Sequence, residues 1–144
     1  MPSPYFDNYG MVAVTAATLS VIAGAHVGSR INLNRAAGIA VTLPKATGSG
    51  NRYEFIVQAT VTGSTTIKVV DSVDVMTGLG YVLGAAAASF ATVAASDTIT
   101  MNGTTTGGIT GSRVVLDDLA AGVWGVMVDL SGSGTAATPF SATV

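Results

Sequence analysis

The sequence predicts an all-β fold, a single antiparallel β-sandwich or barrel of the jelly-roll-like kind, formed by residues 13–144 and preceded by an extended N-terminal arm, residues 1–12. Short runs of alternating apolar and polar residues are separated by Gly-rich turns, and no long amphipathic helix pattern is present. Strands of this length and spacing are typical of sandwiches and barrels. A chain of 144 residues is long enough to bury one core.

The N-terminal arm combines prolines with aromatic residues. Pro2 and Pro4 disfavour regular structure, while Tyr5, Phe6 and Tyr9 offer large apolar side chains. Chain termini are often disordered, and a free tail is one interpretation. The other is that the three aromatic residues bind a neighbouring subunit or another protein surface, because aromatic side chains gain much from burial.

Residues 30–70 carry the first strand patterns. Ile31 and Leu33 alternate with asparagines, and residues 39–43 repeat the alternation before Pro44. Residues 45–50 are rich in Gly and Ser, and residues 53–57 alternate again, which predicts a hairpin-like pair of strands across this loop. Residues 65–70 read as a further strand.

Residues 77–97 are ambiguous between helix and strand. A run of four alanines favours helix, but three glycines precede it and no capping box begins it. Residues 89–93 and 97–101 have strand patterns, and Asn102-Gly103 is a strong turn signal.

The clearest hairpin joins residues 113–119 to residues 123–130 through a short Ala-Ala-Gly turn. In the second strand Trp124 alternates with polar or small neighbours, so it is expected on the buried face. The predicted core residues are Trp124, Leu116, Phe55 and Tyr53.

The chain is unusually poor in charge. Only 10% of its residues are Asp, Glu, Lys or Arg, against about 25% in ordinary soluble domains. Such a surface suits a subunit that is covered by other protein chains, as in virus particles and fibres. Six scattered basic residues and a net charge of −2 predict no nucleic-acid partner. The uncharged stretches are too rich in Gly, Ala and Thr to predict a membrane span.

The sequence offers little for catalysis, and we expect no enzyme activity, no small-molecule substrate, no cofactor and no metal site. Cysteine is absent and His26 is the single histidine, without a carboxylate nearby in sequence, so a surface or packed structural role is expected. Asp71 and Asp74 are expected to cap the turn after a strand. Asp117 and Asp118 are adjacent, which places their side chains on opposite sheet faces.

One stretch of small residues is a candidate subunit interface. Uncharged Gly and Ala surfaces allow close backbone approach and form an exposed patch if nothing covers them. The candidate interface residues are Gly78, Gly80, Gly84, Ala85, Ala86, Ala87 and Ala88.

Several segments together resemble small structural proteins of tailed bacteriophages. These segments span roughly residues 30–144 and are similar to segments of the head decoration, or cement, proteins of these phages. The segments that carry it are 36–50, 53–57, 67–70, the Asp-Val-Met-Thr-Gly element 74–78, 96–100, Asn102-Gly103, the Gly-Val-Trp element 122–124 and Pro139-Phe140.

The resemblance implies a homotrimer that binds the major capsid protein on the outer surface of the capsid and stabilises the expanded shell. It implies a location in the virion, after assembly in the host cytoplasm. Related Leu-Pro-Ala-Thr-Gly pieces occur in fibre and tail proteins, so a trimeric tail fibre or receptor-binding tip is an alternative. A carbohydrate-binding β-sandwich is a second alternative, which requires aromatic residues exposed on a sheet face.

Overall fold

Two β-sheets face each other across one core in the computed structural model, which describes residues 10–144. The larger sheet has seven strands in the order β1-β3-β5-β10-β11-β7-β8, and the smaller has five in the order β12-β9-β6-β4-β2. The elements are β1 Met11–Val14, β2 Thr18–Ser20, α1 Ala23–His26, β3 Arg30–Leu33, β4 Ala40–Thr42, β5 Arg52–Val57, β6 Thr65–Lys68, β7 Val75–Leu83, β8 Ala88–Ala91, β9 Thr98–Met101, β10 Arg113–Ala120, β11 Val123–Ser131 and β12 Phe140–Ser141.

The predicted all-β class is confirmed, but both sheets are mixed rather than purely antiparallel. Strands β1, β3 and β5 run parallel in the larger sheet, and β2, β4 and β6 run parallel in the smaller one. The cause is the path of the chain, since successive strands from β1 to β6 alternate between the two sheets. Each sheet therefore gains a new strand in the same direction after every circuit.

The predicted hairpin between residues 39–43 and 53–57 is wrong. Strand β4 belongs to the smaller sheet and β5 to the larger, so the loop between them crosses from one sheet to the other. The predicted hairpin of residues 113–119 and 123–130 is confirmed as β10 and β11, which pair in an antiparallel register with an irregularity between Asp118 and Ala120.

The core draws apolar side chains from both sheets into one cluster. All four predicted core residues, Tyr53, Phe55, Leu116 and Trp124, are at most 1% exposed. The rings of Tyr53 and Trp124 lie 5.9 Å apart at a tilt of 60°, which is a favourable aromatic geometry. The strands that carry them, β5, β10 and β11, are central in the larger sheet.

The ambiguous stretch resolves into two antiparallel strands, β7 and β8. Ala85–Ala87 lie in the connection, and Ala88 begins β8, so helix propensity is overridden here by pairing. The short helix α1 was not anticipated, because a single turn has no detectable period. No helix among residues 10–144 is long and apolar enough to cross a membrane.

The burial of Trp124 predicts a large loss of stability on truncation. We expect Trp124→Ala to lower the free energy of unfolding by about 3–5 kcal/mol, because a cavity replaces the indole. Urea unfolding followed by circular dichroism measures this, with Leu119→Ala as control because Leu119 is exposed in the adjoining strand. A Trp124→Ala protein as stable as the control would contradict the placement.

Candidate functional site: the outer face of the larger sheet

The outer face of the seven-stranded sheet has a charged half on β3, β5 and β10. Arg30 and Glu54 are directly opposed in register, as are Arg52 and Asp117. The Arg52 guanidinium donates two hydrogen bonds to the Asp117 carboxylate, at 2.7 and 3.1 Å. Arg113 donates to Glu54 at 3.0 Å. Charges on this half are therefore paired with one another across the strands, a contribution of up to about 1 kcal/mol per exposed pair.

The other half of this face, on β11 and β7, carries large apolar side chains. Met127 and Leu79 are directly opposed, and Tyr81 and Leu83 follow along β7 on the same face. These four residues, called the apolar patch below, are between 43% and 60% exposed. Beside them lies a shallow hollow of about 440 Å³, lined by Tyr81, Leu83, Ala87, Ala88 and Ser89. A contiguous exposed patch of this kind is typical of a contact surface.

The edge next to the apolar patch is a short strand that lacks the charged residue or proline that often protects an edge from pairing. Strand β8, with the sequence Ala-Ser-Phe-Ala, ends the larger sheet and contains neither charge nor proline. Natural edge strands are commonly shielded by lysine, proline or a bulge. No Asp, Glu, Lys or Arg occurs anywhere between Asp74 and Asp97. Apolar patch and edge thus form one continuous, mainly apolar region, bordered by one carboxylate, Asp129 of β11, which is opposed to Tyr81 and to Arg113.

The structure gives the glycines of the small-residue stretch a role within the chain. A Cβ atom at Gly78 would collide with the carbonyl oxygen of Val126, and one at Gly80 with that of Val128. Both glycines let β7 approach β11 closely. Their small size therefore serves packing inside the chain, and their place in an interface between copies stays a prediction.

The remaining residues of that stretch lie closer to the surface. A Cβ atom at Gly84 would collide with the carbonyl oxygen of Gly134. Ala85, Ala86 and Ala87 are exposed, and Ala88 is half-buried at the start of β8. Their place in an interface stays a prediction.

The predicted aromatic anchors Tyr5, Phe6 and Tyr9 lie outside the residues that the structure describes. Strand β1 begins at Met11, two residues before the predicted start of the β domain at residue 13. The arm therefore enters the fold at the free edge of the larger sheet, opposite β8.

Asp118 holds the loop that crosses from β4 to β5. Its buried carboxylate accepts hydrogen bonds from the backbone N–H groups of Thr47, Gly48 and Ser49, and from the hydroxyls of Thr47 and Ser49. Burial by itself raises the pKa of Asp118, but the hydrogen bonds from Ser49, Gly48 and Thr47 outweigh it and lower the pKa. As predicted, Asp117 projects to the opposite face.

A second carboxylate cluster holds the start of the same loop. The Lys45 ammonium lies 2.6 Å from Asp74 Oδ1 and 2.9 Å from Asp71 Oδ2. Asp74 is buried and accepts the backbone N–H of Ala46 at 2.8 Å. Asp71 caps its own turn, as predicted, by accepting the N–H groups of Val73 and Asp74. Hydrogen bonds with Asp74 and Asp71 raise the pKa of Lys45, and the bond from Lys45 lowers the pKa of Asp71.

His26 has a structural role, as the sequence predicted. Its ring is buried, and its Nδ1 accepts the backbone N–H of Ile22 at 2.9 Å, closing the single turn of α1. Within the described part of the chain, no three His, Asp or Glu side chains are grouped so that they could hold a metal ion.

Sequence reasoning missed the apolar patch as a site. The signal was the run Gly78-Leu79-Gly80-Tyr81, in which glycines alternate with large apolar residues. In a strand this pattern turns the glycines to one face and the bulky side chains to the other. Only the pairing of β7 with β11 shows that the glycine face is the buried one.

Comparison of the chain with protein-family models, with curated proteins and with solved structures found no match.

The role of Asp118 predicts an acid-sensitive contribution to stability. Because folding lowers its pKa, this contribution is complete above the unfolded pKa of about 3.9 and is lost as the pH falls through the lower folded value. We expect Asp118→Asn to reduce the free energy of unfolding at neutral pH by about 2 kcal/mol and to weaken its acid dependence. Urea titrations at several pH values measure both effects.

The neighbouring variant Asp117→Asn serves as the control for this prediction. Its carboxylate makes an exposed ion pair, so its removal should change stability by less than about 1 kcal/mol. Equal losses in the two variants would show that Asp118 does not hold the loop.

Proposed function

We propose that the chain is a structural subunit of a phage virion, a homotrimeric decoration protein that binds the major capsid protein on the outer surface of the expanded shell. The observation that carries the proposal is the division of the outer sheet face into a charge-paired half and an apolar half, with Asp129 between them, that continues to the edge at β8. The segments that resemble decoration proteins add to it.

The apolar region formed by the patch and the β8 edge supports an assembly role because its exposure to water is unfavourable in a free subunit. Leu79, Leu83 and Met127 keep more than half of their surface in water, and the adjoining edge leaves β8 unpaired on one side. Covering such a region with protein removes apolar surface from water, worth about 25 cal/mol per Å². A subunit that meets neighbours on this face is stabilised by them.

Decoration then stabilises the expanded shell because binding is linked to the conformation of the shell. A protein that binds only the expanded shell stabilises that state by an amount that grows with its concentration relative to its dissociation constant. No catalytic group is needed, and contacts spread over many copies add together. The protein therefore works mechanically, by holding neighbouring capsid subunits in their expanded arrangement.

A trimeric fibre or receptor-binding tip is the second candidate. The path of β1 to β6 favours it, because strands alternate between two sheets and stack in parallel through three rungs. Solenoids extend by repeating such rungs. A carbohydrate-binding role gains little support, because Trp124 is buried and Tyr81 is the single exposed aromatic residue among residues 10–144.

The proposal predicts a trimer in solution. Light scattering should give three times the mass of one chain at micromolar concentration, and Leu79→Lys should shift the protein towards monomers because it puts a charge in the apolar patch. Val73→Lys is the control, since Val73 is 71% exposed in a turn away from the patch. A monomeric wild type, or equal dissociation of both variants, would contradict the prediction.

Binding to shells tests the function itself. The purified protein is mixed with expanded and with unexpanded empty heads of the phage that encodes it, and the heads are sedimented. We expect saturable retention on expanded heads and little on unexpanded ones, because the shared contacts exist only after expansion. Retention on neither kind of head would exclude decoration and favour the fibre.

A further inference from the structure

We infer that residues 1–9 of one copy bind across the apolar patch of a neighbouring copy, so that subunits are joined by exchanged arms. The inference rests on the proposed assembly function and names the surface that the arm binds. It connects an aromatic segment that lies outside the described fold with an apolar surface that is uncovered within it.

The composition of the segment fits the patch. Tyr5, Phe6 and Tyr9 supply three aromatic side chains within five residues, and aromatic rings offer large contact area for few rotatable bonds. Pro2 and Pro4 reduce the conformational freedom that binding must remove. The hollow beside the patch is lined by apolar and small side chains, with no charged residue among them.

The size of the patch favours a short segment over a whole subunit face. Its four side chains expose on the order of 400 Å², about the largest patch of an ordinary monomer. A standard interface buries about 800 Å² on each partner. The patch is therefore half of what a face-to-face contact needs, while a few aromatic residues cover it fully.

The reach of the arm indicates that the patch belongs to another copy. Five inter-strand steps separate β1 from β7 along the sheet, or about 24 Å at about 4.8 Å per step. Tyr5 lies five residues before Gly10, and an extended chain spans at most about 3.6 Å per residue, or about 18 Å. Within one copy the backbone at Phe6 and Tyr9 falls well short of β7, and only the ring of a fully extended Tyr5 comes near it.

Binding within one copy is also chemically unfavourable. The direct path from β1 to β7 passes over the charged half, where Arg30, Arg52 and Arg113 are paired with Glu54 and Asp117. Aromatic residues laid there would cover exposed ion pairs and take hydration from them. A neighbouring copy presents the apolar patch without that crossing.

A disulfide trap tests the inference directly, because the chain contains no native cysteine. Phe6→Cys is combined with Leu83→Cys in the full chain, and the protein is oxidised and run on a non-reducing gel. We expect crosslinks between copies, up to a covalent trimer, since binding holds the two thiols at a high effective concentration.

The control is Phe6→Cys combined with Lys68→Cys, in which the second thiol is exposed on the smaller sheet. Crosslinking between copies should be about tenfold slower there, because the thiols meet only by chance. Equal rates in both variants would overturn the inference, as would a crosslink confined to single chains. Trapped trimers that fail to bind heads would refute decoration alone; head binding without the crosslink would refute the arm exchange alone.

Discussion

The fold depends on holding the loops that carry the chain from one sheet to the other. In the crossing from β4 to β5 the backbone N–H groups of residues 46–49 donate to side-chain carboxylates, and backbone groups of a folded chain need such partners. Buried aspartates supply them, with Asp118 and Asp74 binding the loop between β4 and β5. Asp97 likewise accepts the backbone N–H groups of Thr143 and Val144, which fixes the last residues beside β9.

This placement of the charged residues explains why part of the outer face of the larger sheet carries almost no charge. The chain has eight acidic and six basic residues, and three of the acids are buried as loop supports. The arginines of β3, β5 and β10 form ion pairs with Glu54 and Asp117. Little charge is left for β7 and β8, so the outer face separates into a charge-paired half and an apolar half, with Asp129 between them. The apolar half is the part that an assembly can cover while removing water from the fewest ions.

Sequence patterns predicted the strands well and their partners poorly. Period-two alternation located β5, β10 and β11 and placed Trp124 inside, because burial on one face of a strand has a local signature. Alternation carries no information on which strand lies alongside, and the Gly-rich loop after β4 resembled a hairpin turn although it crosses between sheets. Parallel pairing follows from that crossing, which is a property of the whole path.

Locating the candidate site required knowledge of the strand pairing as well as the sequence pattern. The glycines at 78 and 80 looked like a surface for a neighbour, and only the register against β11 shows that they face inward. The same register turns Leu79 and Tyr81 outward and aligns Met127 beside them. Helix propensity at Ala85–Ala88 was misleading because four alanines are too few to form a stable helix, and the two strands that they connect pair with each other.

The central claim is that the outer face of β7 and β11 is a contact surface between protein chains. A cryo-electron microscopy map of the particle in which we propose that the protein assembles, at a resolution that traces the backbone, tests it most directly. We expect protein density from another chain over Leu79, Tyr81, Leu83 and Met127. A map in which these side chains face open solvent on every copy would contradict the account.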